Sequence, residues 1–314
     1  MSSSVSNLQK DKFLHIFELL DVDGNGVLQY DDFRLVVDTM CDERGWSSSH
    51  RRRLGLTRAN KRLWDLMIRY LDADGDGDVD VAVASHGASS VGVLLNDGSG
   101  VFGAPSSFGT GSAGEWALAA VDLNEDGILD LVAGGQSDQR LYVYTGDGDG
   151  TFTAAADQAC GGSVWMLATG DVNRDGHEDV AGVNSFNNNG AILLGDGTGA
   201  LAPPQTYPTD PFALAVDLGD LDGDGDLDWV TSSFSGDWFL FTNDGSGSFT
   251  FDQEFLATRA ASCALLLDVD NDGDLDLSLV DELEDEVIVL TQGAPLFADG
   301  FESGDVSAWS GVLP

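Results

Sequence analysis

The 314-residue chain carries 14 Lys and Arg against 54 Asp and Glu, for a formal charge of −40, and 42% of its residues are apolar. Such a surface repels phosphate backbones and anionic lipid headgroups, which argues against nucleic acid and membranes as partners and favours cations. The charge is uneven, because residues 1–71 hold 11 of the 14 basic residues and only 10 acids. Two domains are therefore expected to meet near residue 72.

The N-terminal segment predicts a helix-loop-helix. Apolar residues recur at helical spacing over residues 13–20 and again over 33–40, and a further helix is predicted from about 58 to 71. The sequence DVDGNGVLQYDD at 21–32 has the ligand spacing of an EF-hand calcium loop, with Gly26 at its sharp turn. Its predicted ligands are the side chains of Asp21, Asp23, Asn25 and Asp32, the carbonyl of Val27, and Gln29 through a water.

From residue 72 the pattern changes to short β-branched runs separated by Asp and Gly, and it repeats at spacings of 48 to 50 residues. Each repeat begins with an acidic loop, and we number these loops one to five: 72–80, 122–130, 171–179, 220–228 and 268–276. Gly-rich hairpin turns follow at 96–102, 146–152, 195–201 and 243–249, where Asp-Gly pairs supply positive φ angles. One strand before the loop, one after it, a third before the turn and an outer fourth are expected, as in propeller blades.

Each acidic loop presents oxygen side chains at positions 1, 3, 5 and 9 and has a glycine at position 6. The alternation directs these side chains to one point, and the glycine turn lets the position 7 carbonyl join them, which suits Ca²⁺. Without an ion the carboxylates would repel one another strongly. With position 7 contributing its carbonyl, the predicted ligands are Asp72, Asp74, Asp76, Asp78 and Asp80; Asp122, Asn124, Asp126, Ile128 and Asp130; Asp171, Asn173, Asp175, His177 and Asp179; Asp220, Asp222, Asp224, Asp226 and Asp228; and Asp268, Asp270, Asp272, Asp274 and Asp276.

Loop three departs from the others at position 8. It carries Glu178 where the other loops have Val79, Leu129, Leu227 and Leu275. The strand that follows this loop is therefore expected to be less well anchored in the core.

The DxDGDGxxD loops and the NDGxGxF turns after them resemble FG-GAP or VCBS repeats, the blades of integrin α-type propellers, over residues 72–293. The resemblance implies structural calcium that holds each blade rigid while other loops contact partners. The EF-hand segment resembles calerythrin and sarcoplasmic calcium-binding proteins, with Asp32 in place of the usual glutamate. The predicted fold is mainly β: a β-propeller-like array of five four-stranded blades at 72–293, preceded by a small α-helical EF-hand domain at 1–71 and followed by a tail at 294–314.

The leading functional hypothesis is a non-catalytic calcium-binding scaffold or adhesion module with up to six calcium sites. The alternatives are a carbohydrate-active enzyme or lectin built on a propeller, and an intracellular calcium sensor or buffer. No histidine has a visible nucleophile partner and no G-x-S-x-G motif occurs, so the sequence predicts no enzyme. A protein or carbohydrate ligand on the propeller loops is the expected partner besides calcium.

Location and ring closure are the last two predictions. The FG-GAP-like repeats imply an extracellular or cell-surface protein, whereas the calerythrin-like segment and the lack of a visible signal peptide or membrane-spanning run imply the cytoplasm. The extracellular setting is preferred because more loops support it. The tail at Val306–Leu313 is in register to pair with Val79–Ala84 and close the ring, and the alternative is a tail that does not pack on the propeller.

Overall fold

The structure is a computed structural model, and it describes residues 72–85, 89–109, 114–256, 260–269, 273–281, 283 and 286–291. All regular secondary structure in these ranges is β-strand. In chain order the strands are β1 (Val81–Ser85), β2 (Ser90–Leu94), β3 (Ser106–Gly109), β4 (Glu115–Val121), β5 (Asp130–Gly135), β6 (Arg140–Gly146), β7 (Phe152–Ala159), β8 (Val164–Gly170), β9 (Asp179–Asn184), β10 (Asn189–Leu193), β11 (Gln205–Pro208), β12 (Ala213–Gly219), β13 (Asp228–Ser233), β14 (Trp238–Asn243), β15 (Phe249–Phe255), β16 (Ala261–Leu267), β17 (Asp276–Asp281) and β18 (Glu286–Leu290).

These strands form five antiparallel sheets that follow one another along the chain. Sheet one is β1-β2-β3, sheet two β4-β5-β6-β7, sheet three β8-β9-β10-β11, sheet four β12-β13-β14-β15 and sheet five β16-β17-β18. In sheets two to five the acidic loop joins the first two strands, and its position 9 aspartate opens the second strand, as in the pairs Val121 with Asp130 and Gly219 with Asp228. The acidic loops and the hairpin turns thus share one end of each sheet, which we call the loop end; the opposite end is the far end.

Consecutive sheets pack face to face, and their first strands β4, β8, β12 and β16 lie side by side. Buried apolar clusters fill the space between sheets one and two, two and three, three and four, and four and five. The second strands β5, β9 and β13 are buried at every residue, as expected where a strand is covered on both faces. This is the packing of neighbouring blades in a propeller-like array.

Close approach between sheets depends on small residues. Trp229 of β13 is fully buried and stacks on Phe241 with ring centroids 5.0 Å apart. Its indole also lies directly over Gly190 of β10, where a Cβ would overlap the ring. A glycine of sheet three therefore makes room for one of the two tryptophans of sheet four.

The mainly β fold is confirmed in the described residues, and so are the strands on both sides of loops two to five. The prediction of four-stranded units is confirmed for sheets two, three and four. Sheets one and five have three described strands each, and a fourth strand in either would have to come from residues outside the described ranges, so the prediction is not tested there. The expectation drawn from Glu178 is wrong: β9 is buried along its whole length, as β5 and β13 are.

The remaining predictions about the ends of the chain are not tested. The EF-hand loop at 21–32, the helices beside it and the tail at 294–314, with its proposed pairing to Val79–Ala84, lie outside the described residues or depend on residues that do. No helix in the described part of the chain is long and apolar enough to span a bilayer.

Candidate metal sites in the acidic loops

The five acidic loops share one backbone turn. In each loop the position 6 glycine has a φ between 83° and 106°, which glycine adopts without steric cost. Its N–H donates to Oδ2 of the position 1 aspartate: Gly77 to Asp72 (3.0 Å), Gly127 to Asp122 (2.9 Å), Gly176 to Asp171 (2.9 Å), Gly225 to Asp220 (3.1 Å) and Gly273 to Asp268 (3.2 Å). The sequence pattern thus produces the same local geometry five times.

The position 9 aspartates are buried and hold the loops in place. Oδ2 of each accepts the N–H of position 2: Ala73 to Asp80 (2.8 Å), Leu123 to Asp130 (3.0 Å), Val172 to Asp179 (2.9 Å), Leu221 to Asp228 (2.9 Å) and Val269 to Asp276 (2.7 Å). In loops one to four Oδ1 also accepts an N–H from the hairpin turn: Asn96 (2.8 Å), Gly146 (2.9 Å), Gly195 (2.8 Å) and Asn243 (3.0 Å). Besides being predicted ligands, these side chains therefore fasten loops one to four to their hairpin turns, a role that the sequence pattern did not indicate.

Burial makes ionisation of these carboxyls unfavourable. It raises the pKa of Asp179 to about 6 and that of Asp228 to about 7, although the backbone donors act in the opposite direction. Nearby carboxylates raise both pKa values further. A cation placed beside such a group would favour its charged form.

Among the described residues, two of the loops bring three carboxylates together. Asp72, Asp74 and Asp80 in loop one each offer an oxygen, and these oxygens lie within 4.8 Å of one another; the same holds for Asp220, Asp222 and Asp224 in loop four. Burial is the main reason that the pKa of Asp74 and that of Asp222 are raised, and their carboxylate neighbours add to it. Each cluster holds three of the four side chains that the sequence predicted as ligands, since Asp76 of loop one and Asp228 of loop four are not part of it.

Loops two and three have an asparagine at position 3, and its amide donates to the position 5 carboxylate. The distances are 3.1 Å from Asn124 Nδ2 to Asp126 Oδ2 and 2.9 Å from Asn173 Nδ2 to Asp175 Oδ2. These loops therefore have one carboxylate fewer than loops one and four. In loop five, Asp268, Asp274 and Asp276 are described, while Asp270 and Asp272 lie outside the described residues.

Neighbouring loops are joined by charged side chains. Arg174 at position 4 of loop three reaches loop four, where its Nη2 lies 3.0 Å from the carbonyl oxygen of Asp224, 3.3 Å from Asp224 Oδ1 and 3.6 Å from Asp226 Oδ2. In the same way Glu125 at position 4 of loop two contacts Nδ1 of His177 at position 7 of loop three. The hydrogen bond to Glu125 is the main cause of a raised His177 pKa.

Asp226 differs from the other residues predicted to contribute only a carbonyl. Its side chain is 2% exposed, and its Oδ1 has no hydrogen-bond partner among the described residues. Burial and the neighbouring Asp224 raise its pKa to about 6, while Arg174 lowers it. Loop four therefore concentrates more negative charge than its four predicted side-chain ligands supply.

A cavity of about 710 Å³ opens between loops one, two and three. Its walls include Asp72, Asp122, Glu125 and Glu178. The cavity is open to solvent, so small cations have a direct path to the carboxylates of these loops.

The sheets and loops define a class of protein: a propeller-like array of antiparallel sheets with an acidic turn at the same point of each repeat. The model of the FG-GAP-like repeat matches residues 72–133, 122–182, 171–231 and 222–278. The chain therefore belongs to the FG-GAP-like repeat family. Each match begins at one acidic loop and ends in the strand that follows the next acidic loop. The four overlapping matches therefore include all five loops. A search of curated proteins finds no match.

Solved structures resemble the fold at low sequence identity. A putative 6-phosphogluconolactonase from Bacteroides uniformis is 14% identical, with a TM-score of 0.55 over 68% of this chain and 64% of that chain. One from Bacteroides fragilis is 13% identical, with a TM-score of 0.53 over 69% of this chain and 64% of that chain. This chain thus spans about 64% of the length of each structure, and the likeness is one of fold alone.

Proposed function

We propose that this protein is a non-catalytic scaffold whose acidic loops bind Ca²⁺, and that the bound ions hold the blades rigid for display of a binding surface. The observation that carries the proposal is the repeated turn in which glycine N–H groups fix the position 1 carboxylate, with further carboxylates beside it in loops one and four. Ca²⁺ accepts such flexible sets of oxygen ligands, whereas Mg²⁺ demands a stricter octahedron.

Calcium would act at the loop end of each sheet. There the position 9 side chain already joins the acidic loop to the hairpin turn, for example through Asp228 and Asn243. An ion bound by the same loop would offset the repulsion among its carboxylates and favour the charged form of the buried aspartate. Because the ion binds only the folded state, each site adds about 2.7 kcal/mol of stability when calcium is at a hundredfold excess over its Kd.

The wider parts of the proposal follow from the family. Extracellular fluid is calcium-rich, so we place the protein outside the cell or at its surface, where a rigid scaffold would serve adhesion. The EF-hand at 21–32 would add a sixth site. The activity named for the two Bacteroides structures is not carried over, because only the fold is shared.

Asp224→Asn tests the proposal in loop four. This change removes one of three clustered carboxylates, so calcium should raise the melting temperature by less than it does in the wild type. Asp244→Asn is the matched control, because it also removes one negative charge from the loop end. Asp244 lies in a hairpin turn and not in an acidic loop, and its Oδ1 accepts the N–H of Ser246. Equal calcium responses in both variants, or no response to calcium and chelator in the wild type, would refute the proposed role of loop four.

A further inference from the structure

The far end of sheets three and four carries an exposed group of three phenylalanines. Phe186 in the β9–β10 turn, Phe212 before β12 and Phe234 in the β13–β14 turn are 58%, 46% and 45% exposed. The rings of Phe186 and Phe212 meet edge to face with centroids 6.2 Å apart, and the N–H of Phe234 donates to the carbonyl of Phe212 (3.0 Å). We call these three residues the phenylalanine platform.

Hydrogen bonds fasten the three supporting segments to one another. The N–H of Thr209 donates to the carbonyl of Asn188 (3.2 Å), which joins the segment before β12 to the β9–β10 turn. Oγ of Ser235 and the N–H of Asp237 both donate to Oδ2 of Asp210, at 3.1 and 3.3 Å, which joins that segment to the β13–β14 turn. The rings therefore stand on a preformed support.

The fold itself does not require these rings. The hydrogen bond between Phe234 and Phe212 recurs in sheet two from Gln136 to Gly114 (3.0 Å) and in sheet three from Ser185 to Ser163 (3.1 Å). This backbone hydrogen bond is thus shared by all three sheets, but of the three only sheet four has phenylalanine at both positions. Phe186 likewise occupies the place that Ser137 and Ser235 hold in sheets two and four.

Phe212 is also held in an unfavourable conformation. Its φ is +59°, in the left-handed region that bulky side chains rarely adopt, and the equivalent residue of sheet two is Gly114 with a φ of +95°. A strained, solvent-exposed aromatic residue at a position where glycine suffices points to selection for binding rather than for folding.

The charge around the platform indicates its partner. Residues 185–188, 209–212 and 234–237 contain no Lys or Arg, and they include Asp210 and Asp237. Glu254 lies beside Asp237, and the hydrogen bond between the two carboxyls is the main cause of the raised Glu254 pKa. A guanidinium group binds both to aromatic faces and to carboxylates. We propose that the platform binds a cationic peptide segment in which arginine adjoins apolar side chains.

The test compares the full-length protein with a triple variant that has the same net charge. The triple variant carries Phe186→Ser, Phe212→Gly and Phe234→Ser, which are residue types found at the equivalent positions of the other sheets. Its melting temperature should therefore match that of the wild type. Phe102→Ser, which removes a 43% exposed phenylalanine at the loop end, is the control for lost aromatic surface. Random phage-displayed peptides are selected on the wild type and depleted on the triple variant.

Enriched peptides should contain arginine next to Leu, Phe or Trp. Synthetic copies should bind the triple variant at least tenfold more weakly than the wild type and the Phe102→Ser protein equally well, and an Arg→Gln version of each peptide should lose binding. The proposal is overturned if no peptide is enriched, if the triple variant binds as well as the wild type, or if enriched peptides lack arginine. It is also overturned if the platform binds neutral glycans on an array and no peptide.

Discussion

At the scale of single residues, the position 9 aspartates combine two roles. Asp179 and Asp228 accept N–H groups from their own loop and from the hairpin turn, yet burial, and after it the neighbouring carboxylates, raises their pKa to about 6 and about 7. The hydrogen bonds explain why an aspartate lies there even without an ion, and the raised pKa values explain why a cation would stabilise it.

A prediction about pH follows from these two carboxyls. Their folded pKa values lie above the 3.8 of an ordinary aspartate, so the folded protein binds more protons than the unfolded chain between these values. Their stabilising contribution is present below about pH 4 and is lost as the pH rises through 6 to 7. In chelator, urea unfolding should therefore show a lower free energy of unfolding at about pH 7.5 than at about pH 5.

Saturating calcium should reverse or flatten this trend, because the ion competes with protons for the same oxygens. The gain in unfolding free energy on adding calcium should accordingly grow with pH. A chelated protein whose stability is constant or rises over this range would show that burial does not hold these carboxyls in their neutral form.

At the scale of structural elements, contacts between repeats add to the contacts within each one. Arg174 extends from loop three to Asp224 and Asp226 of loop four, so a protein cation already lies next to the candidate ion site. Arg174 and a bound ion would both interact with the same carboxylates. Loop four is therefore expected to bind calcium less tightly than it would without this arginine.

Arg174→Gln tests that competition. The variant should be less stable in chelator: the exposed pair with Asp224 contributes less than about 1 kcal/mol, and the buried Asp226 also loses its counter-ion. Calcium should raise its melting temperature by more than it raises that of the wild type. Arg140→Gln is the control, since it breaks a similarly exposed ion pair with Asp157 in sheet two. If both variants respond to calcium as the wild type does, Arg174 has no influence on the site.

The interface between sheets three and four depends on Gly190. Gly190→Ala would place a Cβ inside the indole of the buried Trp229, and overpacking of this kind costs about 1–3 kcal/mol. Gly109→Ala is the comparison, because a Cβ there meets no atom within 4 Å. Chemical denaturation should show a clear loss for the first variant and little change for the second; equal stabilities would mean that the two sheets are less tightly packed than described.

At the scale of the whole molecule, local patterns predicted more than long-range contacts. The start of each acidic loop, the hairpin turns and the strands beside them could be read from Asp and Gly spacing, because each depends on residues close in sequence. The contact of Arg174 with Asp224 joins residues 50 positions apart, and the phenylalanine platform combines three segments. Both depend on strand register and on how neighbouring sheets pack, which no short motif encodes.

Composition likewise gave the sign of the charge but not its arrangement. The net charge of −40 predicted cations as partners, and the structure separates two acidic regions with different surroundings. Carboxylates at the loop end cluster around candidate ion sites, as Asp220, Asp222 and Asp224 do. At the far end, Asp210 and Asp237 flank exposed aromatic rings. The two ends are therefore expected to bind different partners.

The most direct test of the central claim is to count bound metal by native mass spectrometry of the full-length protein. After equilibration with calcium and exchange into a volatile buffer, the account predicts protein with several bound calcium ions, up to five from the acidic loops and one from the predicted EF-hand. Asp224→Asn should lower the maximum by one, and Asp244→Asn should leave it unchanged. Wild-type protein that retains no calcium, at calcium concentrations that also leave its melting temperature unaltered, would contradict the account.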